Sequence, residues 1–242
     1  MLKKIFILFF SVLPCCLFAQ DKKNVASAFD NAYNNEIKLE NDQLTERIGT
    51  FPENLKALNR QVSQAIRSNN DAKALEIAME MDKLHPTNAD INNFIGKRYL
   101  KALDYKNATI YFDRALKLDP KNKWFYINKA SVQAEQHDFQ EAIKTVDKLI
   151  ELYPEWSIGY NFKAGLLQTL NKDDEALKTY ETATNSVPAS ALIATNQADL
   201  LVKLNQKKEA SAVYKRALQI QPDYAPAREK LNALSKATAS ED

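Results

Sequence analysis

Few side chains in this 242-residue sequence could do chemistry. His85 and His137 are its two histidines, and they fall in different stretches of the chain, each near a helix end or break. A general base needs a second group to orient it, and neither histidine has one nearby in sequence. A histidine at a helix end commonly complements the helix dipole instead. The acidic run Asp173-Asp174-Glu175 sits where a helix should begin, and there it suits the positive N-terminus. Cys15 and Cys16 lie in the first twenty residues. No G-x-G-x-x-G or G-x-x-x-x-G-K sequence offers a phosphate cradle. The inventory nominates no catalytic residue, cofactor or metal site and points to a non-catalytic protein.

Residues 1–20, MLKKIFILFFSVLPCCLFAQ, have a short basic start, an apolar run over 5–18 and a small residue, Ala19, before Gln20. This is the pattern of a secretory signal, expected over 1–19. The apolar run is short for a membrane span, and no later segment approaches one. Val12-Leu13-Pro14 matches a lipoprotein box poorly, so anchoring through Cys15 or Cys16 is the lesser alternative. Cleavage removes both cysteines, so no disulfide or thiolate site would remain. It also removes Lys3 and Lys4, lowering Lys plus Arg from 33 to 31 against 31 Asp plus Glu. A neutral chain is a poor nucleic-acid ligand, because that affinity comes mainly from phosphate neutralisation. The expected location is outside the cytoplasm, in a bacterial periplasm.

The elements follow from the spacing of proline and alanine. The chain has only 4 Gly, which disfavours turn-rich β folds. Pro52, Pro86, Pro120, Pro154, Pro188 and Pro222 are each 34 residues apart, and Ala74, Ala108, Ala142, Ala176 and Ala210 keep the same step. A fixed period of this size marks a repeat array. Each period holds two stretches of helical length separated by a polar break, as at Asn171-Lys172-Asp173-Asp174. Thr50 with Glu53, and Thr87 with Asp90, have capping-box spacing at two expected helix starts.

Residues 89–122 place Gly96, Tyr99, Ala108, Phe112, Ala115 and Pro120 at repeat positions 8, 11, 20, 24, 27 and 32. That pattern resembles the tetratricopeptide repeat. Five in-phase units cover 55–88, 89–122, 123–156, 157–190 and 191–224; the first is the most degenerate, and Gln133 replaces an aromatic in the third. The resemblance implies an all-α fold, a right-handed superhelical α-solenoid of helix-turn-helix units, in which positions 8 and 20 meet where paired helices cross. Residues 225–242 read as a capping helix and tail, with Tyr224, Ala227, Leu231 and Leu234 on one face. Residues 20–54 read as an irregular helical segment docking on the first repeat.

The resemblance also implies a concave groove lined by the first helix of each unit. Carried onto this sequence, its basic first half holds Lys56, Asn59, Arg67, Asn93, Lys97 and Lys101. Its more apolar remainder holds Trp124, Ile127, Ile158, Asn161 and Leu192, with Trp124 expected as an exposed anchor. Asn59, Asn93 and Asn161 recur at position 5, where an amide can both donate to and accept from a peptide backbone. The chaperone-tail clamp known in the family is not expected. Its nearest frame is Asn93, Lys97 and Asn128, followed by Ile158 and Phe162, and the last two cannot hold a carboxylate. The function implied is capture of a protein or peptide segment by an adaptor or assembly factor of the cell envelope. The alternative is a scaffold that self-associates, or supports an envelope complex, through its convex face or N-terminal helices.

Overall fold

The computed structural model describes residues 29–185 and 189–239. The signal segment, Cys15, Cys16 and Pro188 lie outside the described residues. The described residues form twelve α-helices and no strand. They are α1 (Asn31–Gly49), α2 (Glu53–Arg67), α3 (Asp71–Leu84), α4 (Ala89–Lys101), α5 (Tyr105–Leu118), α6 (Lys123–Glu135), α7 (Phe139–Leu152), α8 (Ser157–Thr169), α9 (Asp173–Thr184), α10 (Ala191–Lys203), α11 (Lys207–Ile220) and α12 (Ala225–Ala239). Helices α3, α5, α7, α9 and α11 begin 34 residues apart, as do α4, α6, α8, α10 and α12. The fold is an all-α solenoid of helical repeats.

The turn inside each helix pair is one recurring device. Asn69, Leu103, His137, Asn171 and Asn205 all have left-handed backbones, with φ between 55° and 63°. At each one the helix ends in a Schellman motif. The Leu103 amide donates to the Leu100 carbonyl at 3.0 Å, and the Asp104 amide reaches back to Tyr99 at 2.9 Å. The same two bonds recur at the other four turns and satisfy carbonyls that a helix end leaves open. The residue after the left-handed one then caps the next helix. Asn70 Oδ1 accepts the Lys73 amide, Asp104 Oδ1 the Asn107 amide, and Asp138 Oδ1 the Glu141 amide at 3.4 Å. Lys172 and Gln206 hold the equivalent places before α9 and α11 without a side-chain cap.

The two capping boxes expected from sequence do not form. The residue before α2 is Pro52, which cannot cap it by side chain, and the Thr50 hydroxyl donates to the Arg47 carbonyl at 2.7 Å. The cap of α4 is Asn88, not Thr87, and Asp90 is drawn into an ion pair with Arg47.

The chain divides into two compact units. Of the described residues, the first unit holds 37–142 and the second holds 29–36 and 143–239. Helices α1 and α7 each contribute residues to both. In the first unit, Leu55, Val62, Ala74, Met81, Ile91 and Ile95 form the core, with Ile48 of α1 packed against it. Phe112, Ala108 and Val132 form a second cluster, and Gly96 is required there. A Cβ on Gly96 would stand 2.7 Å from the Phe112 ring, so position 8 faces the aromatic at position 24. Ala108 is buried in the same cluster as Phe112. In the second unit, Ala198, Leu201, Ala210 and Tyr214 pack with Leu234, and Leu231 lies against them. Helix α12 turns that face inward and leaves Glu229 and Lys230 exposed. This is the arrangement a repeat array needs at an open end.

Candidate binding surface

In the first unit the inner-position residues have divergent surroundings. Lys56 pairs with Glu53 at 3.1 Å, Lys101 pairs with Asp71, and the Arg67 Nε donates to the Ser63 carbonyl at 3.3 Å. Burial pushes the Asp71 carboxyl up, but hydrogen bonds and charge from Lys101 and Arg98 outweigh it and leave the group below its usual range. Lys97 is half-buried and makes no ion pair among the described residues. Asn93 is held by its neighbour: its Oδ1 accepts the Asn128 Nδ2 at 2.7 Å.

Trp124 and Ile127 do not form an exposed anchor. They are 8% and 1% exposed, because α6 is covered on nearly every side, with Phe125, Asn128, Ala130 and Ser131 buried beside them. Further along the first helices, Ile158, Asn161 and Leu192 in the second unit are buried as well, at 4%, 5% and 6%. The apolar remainder of the expected groove is enclosed.

Helix α1 accounts for part of this. In the first unit, Arg47 Nε and Nη2 reach both oxygens of Asp90 at 2.8 and 3.0 Å, a bidentate pair. By the family resemblance Asp90, at position 2 of its unit, would belong to the inner positions. Glu40 Oε1 accepts from Arg47 at 3.1 Å and from Asn122 Nδ2 at 3.3 Å. Leu44, Ile48 and Phe51 share the lining of a cavity with Asn59, Val62, Met81 and Phe94. In the second unit, Asp30 Oδ2 accepts the Ser190 hydroxyl at 2.7 Å and the Leu192 amide at 3.0 Å. Its Oδ1 caps α1 by accepting the Tyr33 amide at 3.0 Å. The Tyr33 hydroxyl accepts Asn161 Nδ2 at 3.0 Å, while Asn161 Oδ1 accepts Asn196 Nδ2, also at 3.0 Å. Trp156 Nε1 donates to Glu36 Oε2 at 2.8 Å, and Gln221 Oε1 accepts the Asn31 amide. Burial drives the Tyr33 phenol far above its ordinary pKa.

In each unit, part of α1 is held against a first helix of the repeats by side-chain hydrogen bonds, at Asp90 of α4 and at Asn161 of α8. Within the first unit α1 reaches Asp90 and Asn122, and within the second its first turns reach Asn161. Sequence reasoning missed Asp30 and Glu36, which with Tyr33 make the spacing D-x-x-Y-x-x-E. It also missed the pairing of Asn at position 5 with Asn at position 6 of the next unit, seen at Asn93–Asn128 and again at Asn161–Asn196. The 35-residue separation in both pairs was the available signal.

Neither histidine sits in a site. His85 ends α3, and His137 is the left-handed turn residue, its ring edge-on to Phe139. Among the described residues no cluster of His, Cys, Asp and Glu could hold a metal ion, and no helix is long and apolar enough to cross a membrane.

A solenoid of paired helices with this period defines a class of helical-repeat proteins, and sequence comparison gives the family. Two family models described as tetratricopeptide repeat match residues 99–166 and 193–224. The chain is a tetratricopeptide repeat protein. It is 38% identical over 50 residues to stress-induced-phosphoprotein 1 of Caenorhabditis elegans, a match spanning 21% of this chain and 16% of that protein. The MamA fragment 41-end from Desulfovibrio magneticus RS-1 is similar in structure, with TM-score 0.58 and 15% identity over 71% of this chain and 97% of that one. YrrB, described as a tetratricopeptide repeat protein with an unusual peptide-binding site, gives TM-score 0.51 and 20% identity, covering 69% and 86% of the two chains. At these identities the structural likenesses speak for the fold.

Proposed function

We propose that this protein is an exported, non-catalytic adaptor or assembly factor of the cell envelope, binding a protein or peptide segment on the inner face of its repeats. Tetratricopeptide repeat proteins generally work as interaction scaffolds, and the peptide-binding site described for YrrB belongs to the same fold. The observation that carries the reading is α1: inner-position residues of both units, Asp90 and Asn161, already hold a helix through side-chain hydrogen bonds. A surface that takes one segment this way offers the chemistry to take another. Lys97 and Arg67 favour an acidic stretch in the bound segment. A pull-down from an envelope fraction tests this, using the native chain and Lys97→Glu/Arg67→Glu. The same partner recovered undiminished by the variant contradicts the inner-face reading.

A second reading, a scaffold acting through its outer surface, is favoured by one observation. Leu84, Leu118 and Leu152 end the second helices of three successive pairs, 34 residues apart, and are 50%, 38% and 51% exposed. Within the first unit, Leu84 and Leu118 are an exposed in-phase pair, which suits contact between proteins. Sedimentation of the native chain and Leu84→Ser/Leu118→Ser separates the readings: a ligand-free oligomer lost in the variant supports the scaffold.

A further inference from the structure

The way the second unit holds the start of α1 specifies a ligand. Three side chains at i, i+3 and i+6 are each read by a different group. The Asp30 carboxylate is 1% exposed and pairs with no cation among the described residues; three donors hold it, two of them at the N-terminal end of α10. A buried carboxylate is tolerable there because ordered N–H and O–H groups and two helix N-termini replace its water. The Tyr33 hydroxyl meets an amide whose orientation is fixed, since Asn196 occupies the Asn161 carbonyl oxygen and turns the NH₂ toward Tyr33. Glu36 meets the Trp156 indole. Asp30, Asn161 and Trp156 are all at least nine-tenths buried, so this is a built site.

The occupant is weakly committed to it. Tyr33 is the one residue of α1 that is fully buried, and Leu39 is 49% exposed. Within the second unit, residues 30–36 are held by polar contacts and one ring and gain little from apolar burial, while the apolar packing of α1 lies at Ile48 in the first unit. Such an element exchanges with a competitor more readily than a core helix does.

We propose that this site of the second unit is a receptor for helices carrying an aspartate cap, a tyrosine three residues on and an acidic residue three further. Residues 30–36 occupy it in cis, and its occupant in function is a partner-protein helix with that pattern. The location rests on the inner-face reading above; the pattern does not. The probe is a labelled peptide copying residues 29–40. The receptors are the full native chain, the full chain with Asp30→Ala/Tyr33→Ala, and the latter with Asn161→Ala added. The peptide binds the loosened double variant at least about tenfold more tightly than the native chain, whose site is filled. Binding drops on adding Asn161→Ala and on replacing tyrosine in the peptide by alanine. Equal binding to all three receptors, or none to a double variant that circular dichroism shows folded, overturns the proposal. If the double variant does not fold, Tyr33→Phe carries the same comparison, because it keeps the ring and drops only the hydroxyl contact. Dimerisation of the native chain that the loosened variant loses also overturns it, assigning the site to a second copy. A failed peptide test beside a charge-dependent pull-down leaves the inner-face reading standing, so the two failures are distinguishable.

Discussion

Leu103 occupies a backbone conformation that a leucine rarely adopts. Its φ of 60° puts Cβ close to the following carbonyl, a cost of about 1–2 kcal/mol, and its side chain is 69% exposed, so no packing offsets the strain. The equivalent turns use asparagine at 69, 171 and 205. Leu103→Asn is therefore expected to stabilise the protein by about 1 kcal/mol, raising the thermal midpoint by about 2–4 °C. Gly96 is the opposite case. Any side chain there meets the Phe112 ring, which is fully buried and cannot swing away, so Gly96→Ala should cost about 1–3 kcal/mol. Denaturant unfolding of Gly96→Ala, Phe112→Leu and the double variant checks this: the double variant should recover part of the loss by making room.

At the scale of the element, the period was legible and the caps were not. Proline and alanine spacing set every helix pair in register because those residues respond to local constraints: proline cannot continue a helix, and alanine fits a close crossing. The turns were obscured because their left-handed position is filled by Asn, Leu and His, which carry none of glycine's signal. The capping boxes failed because Asn88 lies one residue beyond Thr87 and outcompetes it, and because Asp90 had a long-range partner in Arg47. The seat of α1 was hidden for the same reason. Its contacts join residues 43 to 190 apart, and its only buried side chain is a tyrosine. The exposure expected of Trp124 was not legible, since the burial of Trp124 and Ile158 depends on what packs over them. One capping defect is correctable. Gln206 precedes α11 without a side-chain cap, while Asp104 and Asn70 cap α5 and α3 from the same place. Gln206→Asp supplies an acceptor beside Lys207 and Lys208, and should add about 1 kcal/mol. An unchanged midpoint would mean that the end of α11 is already satisfied by water.

At the scale of the whole molecule, its tyrosines set a pH limit. Tyr33, Tyr180, Tyr214 and Tyr224 are all shifted upward from an ordinary value of 10.0, first by burial. For Tyr214 a hydrogen bond donated to Asp199 at 2.6 Å adds to the shift. A raised phenol pKa means that the unfolded chain ionises first. The stability these groups contribute is complete below pH 10 and is lost as pH rises above it. Tyrosinate absorbance should therefore show four of the 10 tyrosines ionising only with cooperative alkaline unfolding. Smooth titration of all of them in a folded chain would contradict the burial described. Asp71 acts at the acidic end. Its lowered pKa stabilises the fold above the unfolded carboxylate value, and that contribution fades as pH falls toward the folded one.

The start of α1 is held in the second unit by hydrogen bonds that include Asn161 to Tyr33. Amide hydrogen exchange over residues 31–40, in the native chain and in Asn161→Ala, tests it most directly. These amides are expected to be protected in the native chain. They are expected to exchange about tenfold faster once Asn161 can no longer hold Tyr33, while α4 and α5 keep their rates. Unprotected amides in the native chain, or protection that Asn161→Ala leaves unchanged, would contradict it.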